Sequence, residues 1–263
     1  MKFKGVLHMH STHSYDGKLT LRELKTFLVS KGISFACMSE HTDTLDAESA
    51  GSFVSECNAL SDERFVFVPG FEVPYKDAHV LMFGCETFVT AVADRASLIE
   101  WSQQAGFIIL AHPVRNRFKI DETLTSVIEG VEVWNEQYEG KSVPRPHSLG
   151  LLSDLRAMNI LLLATGGLDF HRREHYGSPL TELDIESLSK ENIMTALRKG
   201  AYTFGNEDVR VPAHGQFAMS ARMKLASAAA ILFIGSGKRA NALLAYLGLS
   251  FPRWLKSSIR SRV

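Results

Sequence analysis

Short apolar runs punctuate this chain, and most of them end in residues that can bind metals. The runs fall at 3–7, 33–38, 65–68, 79–83, 107–110, 131–133, 160–164 and 201–204. Each is too short for a helix and bounded by polar or Gly/Pro positions, so each reads as a buried strand. Between them, 19–31, 46–62, 94–105, 149–158 and 189–199 read as helices. The first has apolar residues at Leu21, Leu24, Phe27 and Leu28, a Thr20 N-cap with Glu23 three residues on, and Gly32 as its stop. The last runs from a Ser189 N-cap to Gly200. Strand alternating with helix, about seven times, is the pattern of a parallel sheet wrapped by helices.

An open doubly wound sheet gathers its site at one switch point. A barrel delivers every strand's C-terminal end to one mouth. Here polar residues follow the strands beginning near 3, 33, 65, 107 and 160, which favours the barrel. The strand-end residues are His8, His10, Asp16, His41, Glu72, His79, His112, Asp169 and His171. Any one of these histidines, taken alone, is more often a surface or core residue than a ligand. Six of the chain's ten histidines at strand ends require another explanation. Imidazole with carboxylate suits Zn, Mn or Fe, and nine donors exceed the needs of one ion. Two or three metals are expected, bridged by Glu72 and Asp169. His8 and His10, two apart on an extended strand, are expected on the same side.

Size and composition bound the rest. At 263 residues the chain fits one α/β barrel domain or two smaller domains. Its three cysteines, Cys37, Cys57 and Cys85, are scattered and odd in number, which points to a reducing, cytoplasmic compartment. The N-terminus enters its first strand at once, so no signal peptide is expected. Net charge is zero but unevenly spread: nine basic residues and no acid follow Asp208. Two domains are expected, a catalytic barrel at 1–212 and a basic, apolar, helical extension at 213–263. The apolar piece at 225–235 is too short to span a bilayer. The expected partner of the extension is the acidic barrel or a second subunit, then a membrane surface reached through Trp254 and its basic neighbours, then nucleic acid.

In combination the motifs resemble the PHP (polymerase and histidinol phosphatase) family, from His8 to about Gly205. They are His8-x-His10 with Asp16-Gly17, Glu40-His41, Pro69-Gly-x-Glu72 with His79, Ala111-His112-Pro113, Glu132-Val-Trp-Asn135, and Gly167-x-Asp169-x-His171. Val6 and Glu40 stand where the family usually has Asp. The resemblance implies a distorted (β/α)7 TIM-like barrel, a trinuclear metal centre and phosphoester hydrolysis. By motif position His8, His10, Glu72 and Asp169 would hold one metal. Glu72, His79 and His112 would hold a second, and Asp16, His41 and His171 a third. The chemistry would run through a metal-bound hydroxide on a small phosphomonoester, of the histidinol-phosphate or nucleotide kind, with Asp169, His171 and Glu72 as the catalytic core. Arg115, Arg145 and Arg172 are candidates for holding the substrate phosphoryl group, with Arg117 and Lys141 behind them, and Arg145 is favoured because prolines flank it. The competing readings are a nuclease acting on nucleic-acid ends, a metal-bound scaffold without catalysis, and, more distantly, a C–N amidohydrolase, against which the lack of a strand-end Lys speaks.

Overall fold

The computed structural model describes residues 1–88, 92, 94–158, 161–215, 217–229 and 232. In chain order it runs β1 (Lys2–Met9), α1 (Leu21–Ser30), β2 (Phe35–Met38), β3 (Glu40–His41), α2 (Ala47–Leu60), β4 (Val66–Val68), β5 (Gly70–Tyr75) and β6 (Ala78–Phe83). It continues with α3 (Arg95–Ser102), β7 (Phe107–Leu110), α4 (Glu122–Thr125), β8 (Gly130–Asn135), α5 (Glu136–Glu139), α6 (Pro146–Met158), β9 (Leu163–Gly167), β10 (Leu180–Asp184), α7 (Lys190–Arg198), β11 (Tyr202–Gly205) and β12 (Arg210–Pro212).

The helices begin where the sequence supplies caps. Thr20 Oγ1 accepts from the Glu23 amide while Glu23 Oε2 accepts from the Thr20 amide, the reciprocal box that its spacing predicts. Asp46 with Ser49 and Asp94 with Ser97 do the same for α2 and α3. Gly32 and Gly200 follow α1 and α7 with positive φ, which lets the chain turn back toward the sheet.

The strands form two six-stranded sheets, ordered β12-β11-β10-β1-β2-β4 and β3-β5-β6-β7-β8-β9. The sheets run into one another. Only Ser39 separates β2 from β3, and only Pro69 separates β4 from β5. At the other side the exit of β9 runs beside β1, with Leu168 N–H donating to Leu7 O, Phe170 N–H to His8 O and His10 N–H to Phe170 O. The result is the distorted barrel expected from the sequence. Its strands are not all parallel, however: β6 is antiparallel to β5 and β7, and β10 is antiparallel to β1 and β11. A buried apolar run carries no record of its direction, so the alternation of strand and helix could not show this. The β5–β6 connection, Lys76-Asp77, is too short for a crossover and forces a hairpin.

The core packs around Trp134, Phe35, Phe53, Phe67, Phe71 and Phe107, each essentially excluded from solvent. Burying a phenylalanine contributes about 1.5–3 kcal/mol. Beyond β12 the chain stays attached: Ala213 is fully buried, and Arg156 Nη2 donates to its carbonyl at 2.7 Å. Residues 221–229 are helical. From residue 230 on, Leu232 apart, the expected extension lies outside the described residues, Trp254 and its basic neighbours included. Among the described residues no helix is long and apolar enough to cross a membrane.

Candidate metal centre

All nine strand-end residues gather at one end of the barrel. Glu72, from β5, is at their centre and is 1% exposed. Its Oε2 faces His8 Nε2 at 3.3 Å, His10 Nε2 at 3.3 Å and His41 Nδ1 at 3.4 Å. Its Oε1 faces His112 Nε2 at 3.0 Å and also His79 Nδ1. Asp169 Oδ1 lies 3.5 Å from His8 Nε2, 3.7 Å from His10 Nε2 and 3.6 Å from His171 Nδ1. Asp16 lies 2.9 Å from His171 Nε2 and 3.6 Å from His41 Nε2.

Among the described residues three groups emerge in which every donor atom lies within 4.8 Å of the others: His8-His10-Glu72-Asp169, Glu72-His79-His112 and His10-His41-His171. The first two coincide with the sets implied by the motifs. In the third, His10 takes a place the motifs give to Asp16, and Asp16 contacts both other members. The His10 ring stacks on those of both His41 and His171, at centroid distances of 4.4 and 4.3 Å.

The convergence does not come from a regular strand. His8 has φ +63°, and the β1–β2 register shifts between Leu7 and Met9. This bulge aims His8 at the point His10 reaches, where regular alternation was the sequence expectation. His112 and Asp169 are also left-handed, at φ +22° and +50°. Such conformations cost about 1–3 kcal/mol each and persist where surrounding contacts hold them.

Those contacts also fix the tautomers. His8 Nδ1 is 3.0 Å from Glu132 Oε1, a carboxylate that can only accept, so Nδ1 carries the proton. Ser14 donates its one hydroxyl proton to Glu40 and accepts from the His41 amide. His10 Nδ1, 3.4 Å from the same oxygen, must therefore be the donor. The Glu40 carboxylate also accepts from the Ser11 amide and hydroxyl, so it ties Ser11 and Ser14 together after β1.

Burial pushes the His10 imidazole down to about 3, against the pull of Glu72, and keeps it neutral. Its Nε2 is fully buried and has no hydrogen-bond partner. A neutral, orphaned ring nitrogen aimed at two carboxylates is what a metal ligand requires, so the residues fit a metal. For Asp16, burial would raise the carboxyl, but hydrogen bonds from His171 and His41 outweigh it and hold it far below the carboxylate range.

The three arginines part company. Arg115 is exposed and places Nη1 3.4 Å from His79 Nδ1, at the edge of the cluster. Arg172 donates through Nε to His175 Nε2 at 2.8 Å. Arg145 lies over the Phe118 ring at 5.4 Å and acts on buried Glu139, and none of its described contacts reaches the cluster. His13 pairs with Glu56 at 3.0 Å, away from it. Two aromatic residues that sequence reasoning passed over border the site: Tyr15, two-thirds exposed, stacks on His41, and Tyr138 lies against His112. Glu132 was seen only as part of a motif. An acid inside the otherwise apolar run Val131-Glu132-Val133-Trp134 was the available signal.

No family model matches the chain, and no curated protein matches it in sequence. Solved structures do. A two-domain protein from Bacteroides vulgatus ATCC 8482 containing a predicted PHP-like metal-dependent phosphoesterase superimposes with TM-score 0.59 at 16% identity, covering 80% of this chain and 66% of that one. PsfC from Pseudomonas syringae PB-5123 gives 0.56 at 12%, covering 89% of this chain and 98% of that one. The lesion-specific endonuclease PfuEndoQ from Pyrococcus furiosus gives 0.52 at 15%, covering 78% of this chain and 57% of that one. The chain thus spans just under two thirds of the first and somewhat over half of the third. It has the fold of PHP-like metal-dependent phosphoesterases, with a histidine and carboxylate cluster at the barrel mouth.

Proposed function

We propose that this chain is a metal-dependent phosphoesterase that hydrolyses a small phosphomonoester, of the histidinol-phosphate or nucleotide-phosphate kind. The observation that carries the reading is Glu72, a buried carboxylate whose two oxygens face separate histidine groups, as a bridging ligand must. In this reading His8, His10, Glu72 and Asp169 hold one divalent ion, and Glu72, His79 and His112 a second. Asp16, His41 and His171, with His10 beside them, hold a third. Zn, Mn or Fe suits the donors. Bound there, the ions lower the pKa of a coordinated water and neutralise phosphoryl charge.

The chain's own groups supply the rest. Arg115, at the exposed edge beside His79, binds the non-transferred phosphoryl oxygens. Tyr15, exposed and seated on His41, presents a ring face to the leaving group. Arg172 orients the His175 ring that underlies the Asp169–His171 turn. Arg145, held at Phe118 and Glu139, acts as a support of the α5–α6 connection. Three buried free cysteines fit a reducing compartment such as the cytoplasm. We read 213–263 as an extension whose basic residues dock on the barrel or a second subunit.

The test is turnover of a panel of phosphomonoesters and one bis-aryl phosphodiester, with Mn or Zn and after chelation. Metal-dependent release of phosphate from monoesters supports the reading. Cleavage of the diester alone would replace it with a nuclease, and no turnover from a metal-loaded protein would favour a scaffold.

A further inference from the structure

Glu132 is an acid in the middle of β8, a strand whose six residues are all buried. Its Oε1 accepts from His8 Nδ1 at 3.0 Å. Its Oε2 accepts from the His112 backbone amide at 2.7 Å and from Asn135 Nδ2 at 2.9 Å. One carboxylate therefore grips a side chain on β1 and a backbone amide after β7. Both gripped residues are left-handed, at φ +63° and +22°. The grip is itself braced. Asn135 donates its backbone amide to Glu139 Oε2 at 2.6 Å, and its Oδ1 accepts from the Gln137 amide at 2.9 Å. The room for it is reserved: a Cβ on Gly167 would stand 2.0 Å from Glu132 Oε1 and 2.8 Å from His8 Cβ.

We infer that Glu132 is the positioning residue of the metal centre, holding His8 in the Nδ1–H tautomer and His112 in its strained backbone so that both Nε2 lone pairs face Glu72. The inference rests on the metal-centre reading above. Glu132 needs no contact with substrate or metal. It acts through two ligands at once, one in each of the two groups that share Glu72. Without it, His8 is free to place its proton on Nε2, which removes a donor, and the His112 amide is left buried without an acceptor.

Glu132→Gln tests this with volume preserved. A glutamine offers one acceptor and one donor end, so it cannot serve His8 Nδ1–H on one side and the two N–H donors on the other. Zn affinity is measured by titrating the metal-free protein against a chromophoric chelator, and Co(II) absorption reports ligand geometry. The expected result is a weakening of about 10–100-fold, the usual cost of losing such a partner, with an altered Co(II) spectrum and the same number of ions at saturation. A purely structural role would lower the melting temperature and leave the spectrum of the bound Co(II) unchanged. Asn135→Ala, which loosens Glu132 without removing it, serves if the first variant does not fold, and is expected to weaken Zn in the same direction. Affinity within twofold of wild type and an unchanged spectrum would overturn the inference. A wild-type protein that binds no metal would instead overturn the reading on which it rests.

Discussion

Replacing Gly167 by alanine is a one-methyl perturbation with a consequence that can be worked out from the structure. The new Cβ would meet Glu132 Oε1 at 2.0 Å and His8 Cβ at 2.8 Å. The end of a side chain yields more easily than a neighbour's Cβ, so Glu132 must move. It is not free to do so: three N–H donors hold it, and its residue is 1% exposed. Hydrogen bonds to a charged group contribute about 1.5–3 kcal/mol each. Loss of one or two, partly recovered by relaxation, makes Gly167→Ala about 2–5 kcal/mol less stable. Gly150→Ala is the control. Gly150 lies in α6, a Cβ there meets nothing within 4 Å, and the change should stabilise by about 0.5–1 kcal/mol. Urea unfolding of the metal-free proteins, read by circular dichroism, gives both values. Gly167→Ala as stable as wild type would refute the claim that this carboxylate is held in place.

Glu139, fully buried on α5, has its carboxyl pushed up to about 8 by burial from an ordinary value of 4.5. The unfolded chain releases that proton first, so the protonated carboxyl favours the fold below pH 4.5 and this advantage is lost as pH rises from 4.5 to 8. Glu139→Gln should therefore match wild type near pH 4 and exceed it by roughly 3–5 kcal/mol at pH 9, measured by denaturant unfolding at both pH values. Thr20→Ala removes the α1 capping box and should cost about 1 kcal/mol without affecting metal binding, by the same unfolding assay. Zn at a hundred times its Kd should stabilise the fold by about 2.7 kcal/mol per site, seen as a higher melting temperature that chelation reverses. Arg115→Ala should lower kcat about 10²–10³-fold with metal content unchanged, by steady-state assay beside metal analysis.

The barrel and its nine mouth residues could be read from the chain because both leave local marks. A buried strand is an apolar run, and a ligand at a barrel mouth follows one directly, as His41 and His112 do. What escaped depends on relations between distant segments. The antiparallel course of β6 and β10 is a matter of partner choice, which no single run encodes. The left-handed turn at His8 comes from a bulge against β2, so the His8-x-His10 spacing pointed to the right pair for an incomplete reason. Leu161 and Leu162 precede the strand that begins at Leu163, a boundary that a run of leucines does not mark. Arg145 stands between prolines, a local mark, yet its cation faces the Phe118 ring from the segment after β7 as well as the buried Glu139. Glu132 is the clearest case. Its function lies in what it reaches, the His8 ring 124 residues earlier and the His112 amide 20 residues earlier.

Metal-dependent phosphoester hydrolysis at Glu72, as proposed above, is open to direct measurement. The most direct measurement compares wild type with Glu72→Gln, both loaded with Mn, for phosphate release from p-nitrophenyl phosphate and a panel of nucleoside monophosphates, with bound metal counted in the same samples. Wild type should carry two or three ions and turn over, and Glu72→Gln should lose both an ion and the activity. Equal turnover by the two proteins, or turnover by wild type that survives complete removal of metal, would contradict it.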